Sequence, residues 1–180
     1  MKRFCSLRFG ELEYRQQDTI NLPQGLIGLP ELKRWLLLDM DDGFPLKWLQ
    51  SLDRGDFALP VTDPAYFSLE YTVRVPEPAR QTLRSQAEDS IAVLIITTIH
   101  PGGVAVTGNL LSPLLIDIDT RRGVQLMLDD ESLSMRQEID YLKFGLAVNS
   151  MEAENEDSGV TGLDPEQTET AQEIREKVST

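Results

Sequence analysis

The sequence contains very few residues that bind soft metals or form covalent cross-links: one cysteine and one histidine among 180 residues. A single cysteine allows no disulfide bond within the chain, which excludes a small secreted scaffold held together by disulfides. Together the two residues supply too few ligands for a structural zinc site. We therefore expect no metal site and no cofactor.

Long apolar runs are also missing. The longest, residues 91–96 and 110–116, are far shorter than the roughly 20 residues that a membrane-spanning helix needs. The first six residues include a basic pair but lead into no apolar run, unlike a signal peptide. These features predict a cytoplasmic protein that makes no contact with a membrane.

Basic residues are scarce relative to acidic ones. There are 17 Lys and Arg against 30 Asp and Glu, which gives a formal net charge of −13. A protein that binds nucleic acid directly needs clustered cations for the phosphates, so we expect no direct nucleic-acid partner. Residues 151–180 hold nine of the acids and two of the bases, a net −7, which leaves −6 for the first 150 residues.

The C-terminal segment differs from the rest in composition as well as charge. It has no aromatic residue and few large apolar ones, so it cannot bury enough surface to offset the entropy lost on ordering. We predict that residues 149–180 form a disordered acidic tail and that residues 1–148 form a single domain. A solvating tail and a docking strip for a basic partner both fit this pattern.

The folded part indicates about ten short strands and one or two short helices. Alternation of apolar and polar residues predicts a strand over residues 66–75, and residues 91–99 have the β-branched composition of a buried strand. Residues 77–86 are the best helix candidate, and residues 132–148 fit either a helix or a closing strand with a turn. The expected fold class is all-β, an antiparallel barrel-like or sandwich fold.

Catalytic chemistry finds little support in the residue types. His100 is the only histidine, the usual general base of a nucleophilic triad, and it lies in a Pro-Gly-Gly turn. A histidine in such a turn more often has a structural or solvent-exposed role. Cys5, in an alternating strand, fits a small core residue. Asp117 and Asp119 fall on one face of a predicted strand, but acids at strand ends are usually only solvated. The chemistry favours a binding protein over an enzyme.

Several motifs follow one another in a distinctive order. They are residues 9–13 (FGELE), 20–29 (INLPQGLIGL), 49–52 (LQSL), Asp63-Pro64, 106–116 (VTGNLLSPLLI) and 125–128 (QLML). In this order and spacing the chain resembles the flagellar assembly factor FliW family over residues 8–135. The Asn-Leu-Leu-Ser-Pro and Leu-Gln-Ser elements carry most of the resemblance.

The resemblance implies a bacterial cytoplasmic protein with two protein partners. One is flagellin before export, and the other is CsrA, a small RNA-binding regulator that represses translation of flagellin messenger. In the family's partner switch, flagellin holds FliW while flagellin accumulates. After flagellin is exported, FliW is free to bind CsrA and relieve the repression.

Acids near ordered strands are the expected contact points, because an RNA-binding regulator presents a basic surface and an acidic partner is steered toward it. The predicted partner-binding residues are Asp63, Tyr66, Phe67, Asn109, Asp117 and Asp119. Two alternatives remain open at this point: a generic acidic β-domain scaffold, and a small enzyme that uses carboxylates alone.

Overall fold

Strands make up most of the described chain, which in this computed structural model comprises residues 1–39, 45–67, 70–87, 90–101 and 105–145. The strands are β1 Lys2–Ser6, β2 Gly10–Tyr14, β3 Ile20–Asn21, β4 Arg34–Asp39, β5 Leu46–Ser51, β6 Ala58–Thr62, β7 Ile91–Ile99, β8 Val106–Gly108, β9 Leu114–Asp117, β10 Arg122–Gln125 and β11 Gln137–Glu138. The helical elements are α1 Glu77–Leu83, the 3₁₀ helices Gln16–Asp18 and Pro64–Tyr66, and a helical stretch at 141–145.

Seven of these strands close into a barrel. The order around it is β7, β6, β5, β4, β3, β10 and β9, and β9 pairs back onto β7. Every neighbouring pair is antiparallel except β3 and β10, which are parallel. Closure pairs most of the strand edges that an open sheet would leave exposed. The sequence-based prediction of a mostly antiparallel, barrel-like all-β fold is confirmed.

Strand β7 organises the barrel because it is long enough to have three partners. Its first four residues pair with β9, Ile95 and Ile96 pair with β6, and Thr97–Ile99 pair with β8. Strand β11 then adds to the outer side of β8. The predicted strand at residues 91–99 therefore exists with those bounds. Its length covers the shift in register between neighbouring strands that a closed barrel requires.

Apolar side chains fill the barrel and cover two parts of its outside. Trp35, Leu49 and Leu114 lie in the barrel interior and are fully buried. A second cluster gathers around Phe67 and Phe144, and a third lies under α1, where Ala79 and Leu83 pack with others against the sheet. Burying a side chain of this size contributes roughly 1.5–3 kcal/mol, so these clusters decide which side of each strand faces inward.

The β1–β2 hairpin is attached to the barrel by Gln50, the central residue of the Leu-Gln-Ser motif. Gln50 is fully buried, accepts a hydrogen bond from Ser6 Oγ (2.7 Å) and donates to the Ser51 and Phe57 carbonyls (2.8 and 3.0 Å). Since Ser6 points inward, the strand alternation turns Cys5 outward. The predicted core position of Cys5 is therefore wrong.

The segment from Tyr66 to Val75 is not the strand that its alternation predicts. It begins in a 3₁₀ helix, and residues 70–76 are extended without a strand partner. The alternation survives as half-buried Val73 and Val75 with exposed Arg74 between them. The two valines pack over the outer surface of β7 and β9, so the segment crosses the sheet instead of pairing beside it.

Helix α1 is shorter than the predicted range of 77–86. Arg84 adopts a left-handed backbone conformation (φ 56°) and ends the helix at Leu83. Ala79 and Leu83, one turn apart, face the sheet and are buried. The open alternatives for residues 132–148 both occur in part, because strand β11 is followed by the helical stretch at 141–145.

The predicted acidic tail, residues 149–180, lies outside the described residues. Within the residues described, the structure has no helix with both the length and the apolar character needed to cross a membrane.

Candidate functional site

The six predicted partner-binding residues fall into two regions of the barrel surface. Asp63, Tyr66, Phe67 and Asn109 lie where β6 and β8 end, whereas Asp117 and Asp119 lie at the end of β9. Along β7, the Asn109 N–H bonds to Ile96, and Thr62, just before Asp63, pairs with Ile95, whereas Asp117 pairs with Ile91. Four to five residues of strand separate the two levels, about 13–17 Å at 3.3 Å per residue. The fold therefore brings the residues together as two sets.

Asp63 is exposed and begins the 3₁₀ helix that follows β6. Its carboxylate accepts a hydrogen bond from the Ala65 backbone N–H at 2.7 Å, and Pro64 occupies the first helical position. An Asp followed by Pro is a favourable start for a helical turn, because the carboxylate takes a free donor and the proline has none to satisfy. The other carboxylate oxygen of Asp63 is left toward solvent.

Tyr66 and Phe67 form the anchor of this turn. The Tyr66 ring meets Phe144 edge to face with centroids 5.8 Å apart, and the Tyr66 carbonyl accepts a hydrogen bond from Asp140 N–H at 2.7 Å. Phe67 is fully buried, and a Cβ added at Gly108 would lie 2.3 Å from its Cζ. Burial gives the Phe67 side chain no surface to offer a partner, in contrast to half-buried Tyr66.

Asn109 lines a polar cleft of about 460 Å³ together with Ile96 and Thr98 of β7 and Thr107 of β8. Its backbone N–H donates to the Ile96 carbonyl (3.0 Å), while its Oδ1 is buried and accepts no hydrogen bond from a described residue. His100 Nε2 lies 3.0 Å from Thr107 Oγ1 across the same cleft. Arg136 is exposed at the rim.

Asp117 is fully buried, unlike Asp63. Its Oδ1 accepts the backbone N–H groups of Asp119 and Thr120 (3.1 and 2.8 Å), and its Oδ2 accepts Ser90 Oγ (2.7 Å). Burial raises the pKa of Asp117, but hydrogen bonds from Thr120, Ser85 and Ser90 outweigh it and lower the pKa to about 2. This carboxylate is internally satisfied, and burial argues against direct contact with a partner.

Asp119 is exposed and does not share a strand face with Asp117 as its spacing predicts. Strand β9 ends at Asp117, and residues 118–121 form the turn into β10. The buried carboxylate causes this ending, because it takes the two N–H groups that a longer strand would give to its neighbour. Asp119 is thus an acid at the surface of a turn that Asp117 shapes.

Three other surface acids are paired with nearby arginines. Side-chain hydrogen bonds from arginine lower the pKa of Asp18 and Asp56, and at Asp53 hydrogen bonds from Arg34 outweigh the effect of burial. The pairs are Arg15–Asp18, Arg34–Asp53 and Arg54–Asp56. Among the described residues, no ion pair involves Asp63 or Asp119, so both keep their charge available to a partner.

Exposed apolar side chains, which the charge-based reasoning missed, mark a third region. Ile27 and Met127 are 53% and 60% exposed. Gln125 links them, since its Oε1 accepts the Ile27 backbone N–H at 2.8 Å and Met127 follows two residues later. The signal in the sequence was the apolar residue at the tip of the loop at 23–30, which has a glycine with positive φ on either side (Gly25 and Gly28).

Within the described residues, no group of three or more His, Cys, Asp or Glu side chains is placed to hold a metal ion. The surface features are instead exposed acids, a polar cleft and exposed apolar side chains on a small β-barrel. Such features are typical of a domain that binds other proteins, and comparison with known proteins identifies the family. A model of the FliW protein family matches residues 3–139 of this chain. The chain belongs to the FliW family.

Individual relatives agree with the family match. The flagellar assembly factor FliW of Caldanaerobacter subterraneus subsp. tengcongensis is 32% identical over 132 residues, which cover 73% of this chain and 88% of the relative. The flagellar assembly factor FliW of Syntrophotalea carbinolica is 32% identical over 136 residues, covering 76% and 96%. A crystal structure of the flagellar assembly factor FliW superposes with a TM-score of 0.70 at 22% identity, covering 76% of this chain and 96% of that chain.

Proposed function

We propose that this chain is a cytoplasmic flagellar assembly factor that binds flagellin and CsrA and acts through binding alone, without catalysis. When flagellin is scarce, the free protein binds CsrA and relieves its repression of flagellin translation. The observation that supports this proposal is membership of a flagellar assembly factor family across the whole barrel, residues 3–139.

Charge supports CsrA as one partner. An RNA-binding regulator must carry a basic surface, and a chain with a formal net charge of −13 attracts such a surface over long range. Asp63 and Asp119 are exposed and lack ion pairs among the described residues, so they are the proposed acidic contacts. Asn109, which lines the polar cleft, and Tyr66, with its half-buried ring, are further proposed contacts.

Apolar exposure supports flagellin as the other partner. A protein that holds an unassembled subunit needs apolar surface rimmed by polar groups. Ile27 and Met127 provide such a surface next to Gln125. Flagellin and CsrA therefore place different chemical requirements on the barrel surface.

The experiment that tests the function is co-purification of the tagged full-length chain from flagellated cells at low salt. We expect flagellin and CsrA in the eluate, and we expect purified CsrA to bind more slowly as salt rises. Recovery of neither partner would contradict the proposal. A binding rate for CsrA that does not change with salt would contradict its electrostatic part.

Charge reversal tests the acidic contacts. We expect Asp63→Lys together with Asp119→Lys to weaken CsrA binding at least tenfold. The matched control is Glu13→Lys, another exposed acid with no ion pair among the described residues. An unchanged affinity in the double variant, or an equal loss in the control, would show that the contact lies elsewhere.

A scaffold whose acidic tail alone binds partners is the second candidate, supported by the nine acids in residues 151–180. Removing residues 149–180 separates the two. If the barrel carries the function, the remaining domain of residues 1–148 folds and still binds CsrA, with a reduced association rate. If the tail carries it, binding disappears while the fold remains intact by circular dichroism.

A further inference from the structure

Among the described residues, the first four residues of β7 have a strand partner on only one edge. They pair with β9, whereas β6, on the opposite edge, reaches only as far as Thr62, which faces Ile95. Beyond Thr62 the chain turns away into the 3₁₀ helix that begins at Pro64. The stagger of the closed barrel therefore leaves a short stretch of β7 projecting past its neighbour.

The hydrogen-bond alternation of an antiparallel pair shows which groups point to this open edge. The Ser90 carbonyl accepts the Ile118 N–H, and the Ile96 carbonyl accepts the Asn109 N–H, so even-numbered residues bond on the β9 side. Odd-numbered Ile91 and Val93 therefore direct their N–H and C=O groups the other way. No backbone hydrogen bond joins them to a described residue there, and the residue that would continue β6, Pro64, has no N–H to give.

A groove of about 710 Å³ lies beside this edge. Its walls are Ile91 and Val93 on the barrel side and the extended residues 73–76 with the start of α1 on the other. Val73 and Val75 are half-buried there, and Arg74 is exposed with no ion pair among the described residues. The groove thus combines apolar side chains with backbone groups that have no strand partner among the described residues, and the charged side chains of Arg74, Glu77 and Arg80 also line it.

We propose that this groove binds an extended peptide segment of a partner protein as an added strand along β7. Its backbone pairs with the N–H and C=O groups of Ile91 and Val93, which gives affinity independent of sequence. Its side chains at every second position point to the same face as those of Ile91 and Val93. These side chains are apolar, because that face is lined by Val73 and Val75.

The groove favours a peptide over a second copy of the barrel. Residues 73–76 form a wall over the open side, so an entering chain must be thin and extended. An edge of this kind is a template for another strand unless it is covered, and a pairing partner converts the exposed groups into ladder hydrogen bonds. The inference rests on backbone geometry and does not depend on flagellin or CsrA being the partner.

Hydrogen exchange of individual amides, measured by NMR on the full-length chain, tests the geometry. In the free protein we expect the Ile91 and Val93 amides to exchange at least tenfold faster than those of Ala92 and Leu94. The probe is a capped five-residue peptide of alternating glutamate and valine. Saturation with it should slow exchange at Ile91 and Val93 at least tenfold, and a peptide N-methylated on the pairing amides should not.

Two other occupants give distinct results that would each overturn the proposal. Protection of Ile91 and Val93 that grows with protein concentration, without peptide, would assign the edge to a second copy. Protection in the free chain that is lost when residues 149–180 are removed would assign it to the chain's own tail. No added protection with saturating peptide would show that the groove takes no strand.

A second peptide tests the chemistry of the recognised segment. Replacing the valines of the Glu-Val peptide by serine should weaken its binding at least tenfold, because the face beside Ile91 and Val93 is apolar. Equal affinities of the two peptides would remove the apolar requirement.

Discussion

Asp63 and Asp117 perform the same local task in two different environments. Each accepts backbone N–H groups from residues two or three positions later and so begins a turn at the end of a strand. Asp63 does this at the surface with one hydrogen bond. Asp117 does it in the interior, where Ser90 adds a further donor. The same turn chemistry thus leaves one carboxylate free for a partner and uses the other fully inside the fold.

The difference matters because acid density alone suggested both as contact points. Reversing a surface charge changes association, whereas reversing a buried one leaves an uncompensated cation among groups placed for an anion. Variants at Asp117 therefore report on folding, and variants at Asp63 report on partners. The predictions below test this division, beginning with the residue that anchors the Asp63 turn.

Phe67→Ala should have the largest effect. The ring is fully buried against Gly108 and Ile95, and removing a buried phenylalanine costs about 4 kcal/mol through lost transfer energy and the cavity left behind. Urea unfolding measures the loss. Phe67→Leu is the control and should cost about 1 kcal/mol, because it keeps most of the apolar volume. Equal losses for the two variants would mean that ring packing does not hold this turn.

Asp117→Ala should follow, with a loss of about 3 kcal/mol in the free energy of unfolding. The substitution removes an ionised acceptor and leaves buried donors at Ser90 and Thr120 without partners. Asp117→Lys should lose still more, and its failure to bind any partner would then reflect unfolding. A stable, well-folded Asp117→Ala by circular dichroism and urea unfolding would place Asp117 with the surface acids.

The sequence predicted where strands lie better than it predicted which parts of the chain pack against them. Strand β7 matched its predicted bounds because β-branched composition is a local property. The burial of side chains does alternate from residue 71 to residue 76, but the segment is not a strand. Alternation in a sequence indicates which side chains are buried, and it does not indicate what they are buried against. At Asp117 and Asp119 the spacing suggested a shared face, and only the three-dimensional placement of Ser90 shows that one carboxylate is inside. Burial of a polar group depends on residues distant in the chain, which periodicity cannot report.

A titration should separate the buried acid from its exposed counterpart. The pKa of Asp117 in the folded protein is about 2, below its ordinary value of 3.8. An acid with a lowered pKa stabilises the fold above its unfolded pKa and loses that contribution as the pH falls through the folded value. The stability difference between the unchanged chain and Asp117→Asn should therefore shrink between pH 4 and pH 2. A difference that stays constant over this range would contradict the lowered pKa.

Asp63→Ala and Asp119→Ala should show the smallest effects on stability. Loss of the Asp63 cap leaves the Ala65 N–H to solvent and costs about 1 kcal/mol, whereas exposed Asp119 should cost no more than about 0.5 kcal/mol. Urea unfolding at neutral pH measures both, and Asp119→Asn controls for the loss of charge alone. Because both variants stay folded, any change in their binding of CsrA reports on contact. If Asp119→Ala instead destabilises the protein as much as Asp117→Ala, the exposed acid supports the turn, and the division between a structural and an available carboxylate fails.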